Sequence, residues 1–482
     1  MKKTKLYKIF KCFTAWELND LQQFVDSPFF NKREDVNILL KYLILKEKKI
    51  NSIFDSEEAF ELMYPNKKFD DTQFRLVCSY LFKLVESYLA LSEVRNNEAF
   101  LKIQLAKAYR KRNIDNHFLK AFKDSERILE KKVYRNQDYW SQTFDAQTEY
   151  FNFLTNQRRS QPEVLQKVID TLEIYILSVV VRQLCTIITE ETVASIVYNK
   201  ELADIVFNYI DTHPKYLEVP SIAVYYYYYQ AVRFPDSGYF TKMFELIKNN
   251  QSKFPDNEIR VIYFLAGNYC VQRINAGAAK YRKAYWDLNT VGLEHGILLK
   301  NGVISRFFFK NMVVAALKMK DGEKAEKFVN DYKLSLEYRF RESTCNLCYG
   351  RIRYFQGNYD EAMVYLAQFI STDVLFTLDA KFTSIKMLYE LGEIEVLDSQ
   401  LKSMDTYLER KKTFFAQHWF LYYKQFVKLI YKLLKLSVLR KDAFQKLKDE
   451  ILLIKVSEER EWFLKQLNEG GGKNTRQVSA YK

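Results

Sequence analysis

Turn-forming residues are scarce in this chain: 13 glycines and 7 prolines punctuate 482 residues. A sheet protein needs turn residues roughly every eight to twelve positions, and this sequence cannot supply them. Long stretches with apolar residues at steps of three and four fill the space between the few breaks, which predicts an all-α fold. A chain of this length also exceeds what one compact hydrophobic core can organise, so several domains or a repeat array are expected. The 37 Phe and 35 Tyr provide bulky side chains for many helix–helix seams.

The N-terminal region, 1–95, reads as short helices with clear stops. Thr14 and Glu17 are spaced as a capping box, in which each side chain satisfies a backbone donor at the helix start. Asp55 and Glu58 repeat that spacing. A longer helix is expected from Asp71 to about Glu93. The segment 96–300 reads as a degenerate array of helical hairpins. Its breaks fall near Asn113, Arg159–Pro162, His213-Pro214, Phe234-Pro235 and Phe254-Pro255. The most apolar run, Ile174 to Val181, ends at Arg182 and is far short of the ~20 residues that span a bilayer. It reads as a buried helix with no membrane insertion.

Between 301 and 410 a period emerges. Gly322, Gly357 and Gly392 stand 35 residues apart, each in a polar turn followed by helical apolar spacing. Two helices fit between successive glycines, so the unit is a hairpin that must bury its apolar face on its neighbours. The segment Tyr349 to Ala362, YGRIRYFQGNYDEA, resembles the signature of the tetratricopeptide repeat (TPR) family. In that resemblance Gly350 and Ala362 match the small residues that let paired helices approach, while Gly357 and Tyr359 match the turn and the start of the second helix. Ile385 stands where Gly350 would be in the next repeat, and Ala325 falls two positions early relative to Gly322. The whole chain also looks like an uncharacterised bacterial family of large helical-repeat proteins. The resemblance implies a right-handed α-solenoid of stacked hairpins and a non-enzymatic scaffold that binds a protein or peptide in its groove. Residues 411–468 are expected to form a basic helical cap, and 469–482 a disordered tail.

The formal charge of +14 resides at the ends. Residues 1–50 carry 11 Lys/Arg against 6 Asp/Glu, residues 401–482 carry 18 against 9, and the middle balances at 45 against 45. Localised excess charge is a footprint for an anionic partner, so nucleic acid is the second candidate. Lys424, Lys428, Lys432 and Lys435 share one helix face, with Arg410, Lys411 and Lys412 before them and Arg440 and Lys441 after. Such a face neutralises phosphates in nucleic-acid binders, yet most lysine faces are simply solvated. Five consecutive tyrosines, Tyr225 to Tyr229, point all the way round a helix. They read either as a binding wall or, more commonly, as packing between hairpins.

Catalytic and cofactor patterns are thin. GGGKNT near the C-terminus resembles a phosphate-binding loop but has Leu467 at the first-glycine position and no preceding strand. Cys345-Asn346-Leu347-Cys348 is a lone CxxC without further zinc ligands, and reads as packing. His117, His213, His295 and His418 are isolated. No metal or cofactor is expected, and an enzyme with an unfamiliar site is the third reading. Six dispersed cysteines and the absence of a signal-like start predict a reduced, cytoplasmic protein.

Overall fold

Helix starts follow capping chemistry in the chain. Thr14 Oγ1 accepts from the Glu17 amide at 3.2 Å, and Glu17 Oε2 accepts from the Thr14 amide at 2.7 Å, closing the expected box. At Asp55 the cap is simpler: its carboxylate accepts from the Glu57 amide at 2.9 Å. Glu58 instead accepts from the Tyr42 hydroxyl and Lys46 Nζ, because those groups approach from a neighbouring helix.

The computed structural model describes residues 5–47, 54–157, 161–194, 197–414, 417–435, 441–454 and 457–473. Among these, 23 α-helices form. They begin with α1 (Lys5–Phe10), α2 (Ala15–Asp26), α3 (Glu34–Glu47), α4 (Ser56–Met63), α5 (Asp71–Arg95), α6 (Glu98–Arg110), α7 (Asp115–Lys131), α8 (Gln137–Asn156) and α9 (Pro162–Ala194). Next come α10 (Glu201–Thr212), α11 (Pro220–Arg233), α12 (Tyr239–Asn250), α13 (Asp256–Asn275) and α14 (Lys280–Glu294). Then follow α15 (Arg306–Lys318), α16 (Gly322–Tyr332), α17 (Tyr338–Phe355), α18 (Tyr359–Ala367), α19 (Val374–Leu391) and α20 (Ile394–Arg410). The last are α21 (Gln417–Leu434), α22 (Lys441–Leu452) and α23 (Ser457–Lys473). Between α14 and α15 sits a two-residue hairpin, β1 (Leu299–Lys300) and β2 (Val303–Ile304). Asn301 and Gly302 turn it with positive φ, the pairing a tight hairpin demands.

The described chain forms two compact units, residues 1–132 with 139–172, and residues 133–138 with 173–482. In the first, Leu21, Val36, Val77 and Leu81 centre one hydrophobic cluster and Phe118, Ala99 and Phe153 a second, so the division drawn at 95/96 falls between two cores of one unit. In the second unit one large cluster runs from Leu177 to Ile352, and another joins α19, α20 and α21 to α22 and α23.

Five helical hairpins share one connection. At Asn113, Gly277, Lys320, Gly357 and Gly392 the backbone turns left-handed, with φ from 55° to 95°. In each, that residue's amide bonds the carbonyl three back, and the next amide bonds the carbonyl five back, at 2.9–3.2 Å. This double bond pattern satisfies orphan carbonyls at the end of the first helix. It corrects the reading of Gly322, which is not a turn residue. It opens α16 behind the Asp321 cap, and Lys320 holds the turn two positions earlier. Counted from the turn residue, Ala325, Ala362 and Leu397 all fall five positions on, and all are fully buried. Seven positions before it stand Ala106, Cys270, Val313, Gly350 and Ile385, also buried. A Cβ on Gly350 would meet Leu366 at 2.9 Å, so the helices of that hairpin need the glycine.

Two further helices run longer than the sequence reading drew them. Helix α9 is continuous over 33 residues. Within Pro162–Glu191 a window of 18 residues with mean hydropathy 1.6 meets the length and composition of a membrane span, a test that the core helix of a soluble protein also passes. The expected tail is helical through Lys473, since a packed helix propagates more easily than it starts; residues 474–482 lie outside the described residues.

Candidate functional site

In the second unit α11 packs on α13, α15 on α17, and α17 on α19, while α14 packs between α13 and α15. Two contrasting zones stand out on these helices.

Between the C-terminal ends of α13 and α17 and the central turns of α15 and α19 lies a cavity of about 570 Å³. Six cations line it: Arg282, Lys310, Lys318, Lys320, Arg351 and Lys386. Three carboxylates answer them: Asp379, Glu459 and Glu461. Lys310 and Arg351 both face Asp379, Arg351 at 3.9 Å. Lys386 stands 3.7 Å from Glu459, and Arg282 is 3.5 Å from Glu461 while donating to the Lys318 carbonyl at 3.0 Å. Tight charge-assisted bonds measure about 2.7–2.9 Å, so these three pairs are loose. Arg282 Nε and Glu459 Oε2 are buried without a hydrogen-bond partner.

Aromatic side chains complete the wall. Phe382 packs its ring 5.7 Å from that of Tyr423, Phe355 is 42% exposed, and Tyr354 donates to Glu390 at 2.8 Å. Helices α21 and α23 enclose the cavity opposite the first helices. Helix α23 is anchored by Phe463 in the core, by Trp462 Nε1 donating to Glu390 at 2.6 Å, and by packing on α13.

The second zone continues the same face toward the helix N-termini. From Asn275, which lines the cavity, Val271, Asn268, Phe264 and Val261 step back along α13 by four, three, four and three. Val261, Phe264 and Val271 are 41%, 44% and 37% exposed. On α15, Asn311 lines the cavity and Phe307, 40% exposed, stands one turn beyond it.

The residues singled out in the sequence fare differently. Lys424 is held at 2.6 Å by both Asp405 and Glu409 of α20, and Lys432 by Glu450 of α22 at 2.5 Å. Only Lys428 and Lys435 of the four stand exposed, beside exposed Arg410, Lys411 and Lys412. The stripe is therefore half neutralised by Asp405, Glu409 and Glu450 of neighbouring helices, which helical periodicity could not reveal. Lys412 lies over the Phe420 ring at 5.4 Å; Arg440 lies outside the described residues.

The tyrosine run is not an open wall. Tyr225, Tyr226, Tyr228 and Tyr229 are buried, and Tyr227 is half-buried. Tyr225 donates to buried Glu258 at 3.1 Å, and Tyr229 stacks on Phe207 with centroids 4.0 Å apart. Cys345 and Cys348 are buried in α17, and burial pushes both thiols up, away from the reactive thiolate. Among the described residues no three His, Cys, Asp or Glu gather as a metal site. Tyr359, at the start of α18, donates to Glu390 at 2.7 Å and is structural.

The cavity residues escaped sequence reading because they come from positions 275 to 461. One local signal existed: Lys386 interrupts the buried run Ile385-Met387-Leu388, where an unpaired charge would not be tolerated. Comparison with protein-family models, curated proteins and solved structures finds no match for this chain.

Proposed function

We propose that this protein is a non-enzymatic helical-repeat scaffold, its second unit a right-handed, TPR-like stack of hairpins that holds a protein segment on the first-helix face. The observation that carries this reading is the apolar row Val261, Phe264 and Val271, exposed along one face of α13, with half-exposed Phe307 of α15, packed at one edge on Phe376, as a second apolar group. Apolar side chains at helical spacing, flanked by the amides of Asn268 and Asn311, suit a partner segment that buries apolar groups and bonds its backbone to side-chain amides. Four hairpins of this unit, turning at Gly277, Lys320, Gly357 and Gly392, share one connection and supply the repeat geometry that presents such a face. In this reading α9 is a core helix: Val181 and Cys185 are buried, and Cys185 Sγ donates to the Tyr225 carbonyl at 3.1 Å.

A photo-crosslinking amino acid placed at Phe264, Val271 or Phe307 in cells is expected to capture the same protein from all three positions. The same probe at exposed Lys428 should not capture it. Capture from Lys428 alone would favour the nucleic-acid or cap-mediated alternative and sink this reading.

A further inference from the structure

We propose that helix α5 of the first unit pairs with α5 of a second copy of this chain, antiparallel about a two-fold axis, so that the protein forms a reversible homodimer. The 25 residues of α5 carry two apolar faces. Phe74, Val77, Leu81, Val85 and Tyr88 are buried in the helical core of the unit. On another side Leu76, Tyr80, Leu84, Ser87, Leu91 and Val94 step by four, four, three, four and three, a row about 27 Å long at the helical rise. Leu76, Tyr80, Leu91 and Val94 are 51%, 41%, 42% and 37% exposed, even though Arg33 lies over the Tyr80 ring at 4.4 Å. Leu84 is half-buried. A helix that packs on one face and meets water on the other carries polar residues outside, as α7 of the same unit does with exposed Lys120, Lys123, Arg127 and Glu130. The outer row of α5 holds no charge.

The order of side chains along α5 favours a second copy over a foreign partner. With the axis at the level of Val85, Leu76 comes opposite Val94 of the other copy, Tyr80 opposite Leu91, and Leu84 opposite Ser87, each within about one residue's rise. Charge follows the same symmetry. Lys83 and Glu86 are exposed on one flank of the row, one just before the axis and one just after it. Each Lys83 therefore comes beside Glu86 of the other copy, twice per dimer. Among the described residues neither is held in an ion pair within its own chain, whereas Arg75 is, by Asp71 at 2.7 Å. A foreign partner requires neither the apolar match nor the charge match. One helix per subunit is a small interface at the low end of specific contacts, which makes the dimer concentration-dependent. Charges at its rim fix partner and register.

The test is sedimentation velocity on the full chain from about 1 to about 200 µM, with Lys83→Glu and Glu86→Lys made singly and together. The parent is expected to show a monomer–dimer equilibrium within that range. Each single reversal sets like charges together at both contacts and should weaken the dimer by about tenfold. The double variant restores both pairs with the signs exchanged, and an equimolar mixture of the two single variants restores them in a heterodimer. Both should return to within about threefold of the parent. The losses should shrink at high salt, where exposed charges are screened. Both residues are exposed, so circular dichroism should show unchanged helix content in every variant. Leu91→Asp, which sets a carboxylate in the apolar row, should leave the chain monomeric throughout. The proposal is overturned if the parent is monomeric over the whole range, or if Leu91→Asp dimerises as the parent does. It is likewise overturned if the single reversals change nothing, or if neither the double variant nor the mixture recovers what they lose. The apolar row of α13 and α15 lies in the other unit and is read by its own crosslinks.

Discussion

A left-handed backbone costs an L-residue about 1–2 kcal/mol, which glycine avoids. Lys320, at φ 63°, stands in that conformation where three sister hairpins use Gly277, Gly357 and Gly392. Lys320→Gly should therefore stabilise the second unit by about 1 kcal/mol in urea unfolding. By contrast Gly350→Ala should destabilise it by about 1–3 kcal/mol, since the new Cβ lands 2.9 Å from Leu366 in a filled seam. If Lys320→Gly were strongly destabilising, the shared turn would be wrong. The period of 35 was legible because two true turn glycines carry it, but the third glycine misled by two positions. Backbone conformation, not residue type, marks the repeat, and a lysine in that role carries no sequence signal. Glu258 offers a second test at this scale. It is 4% exposed, and burial raises its carboxyl pKa above the ordinary 4.5 despite Arg182 and the Tyr225 and Asn136 hydrogen bonds; Asp138 adds to the rise. A raised folded pKa stabilises below the unfolded pKa, and that contribution is lost as pH rises through the folded value. Glu258→Gln should thus raise the melting temperature at pH 7 by about 2 °C, and the gain should vanish on acidification below about pH 4.5. A gain that instead grows in acid would reverse the sign and refute the burial argument.

At the scale of elements, the hairpin connection and the last helix matter most. Helix α23 is needed twice: Phe463 and Leu467 complete the core of α19 to α22, and Glu459 and Glu461 face the cavity cations. Phe463→Ala, at a fully buried site, should cost about 3–5 kcal/mol locally. Hydrogen exchange should then rise in α21 and α23 and stay unchanged in α2 to α5, which belong to the other unit. Uniform loosening of the whole chain would contradict the separate cores. Helix existence and most boundaries were readable from caps and prolines, Pro162 among them. The fate of the basic face on α21 was not, because Asp405, Glu409 and Glu450 reach it from other helices. Amphipathic spacing says which side chains share a face, and only packing says what that face meets.

For the whole molecule, the two units carry different chemistry. The first holds two helical cores and one hairpin of the shared turn type; the second holds the other four such hairpins and the cavity. Function was the least legible property in the sequence, since the apolar row and the cavity are assembled from helices far apart along the chain. A row of exposed apolar groups on a helix-stack face is the kind of surface that proteins otherwise cover. The most direct test is quantitative affinity capture with nuclease-treated lysate, comparing the parent chain, Phe264→Asp with Phe307→Asp, and Lys428→Glu with Lys435→Glu. The account predicts a defined protein retained by the parent and by the lysine variant, and lost with the two aspartates while melting temperature holds. Retention indifferent to Phe264 and Phe307, or retained material that disappears with nuclease, would contradict it.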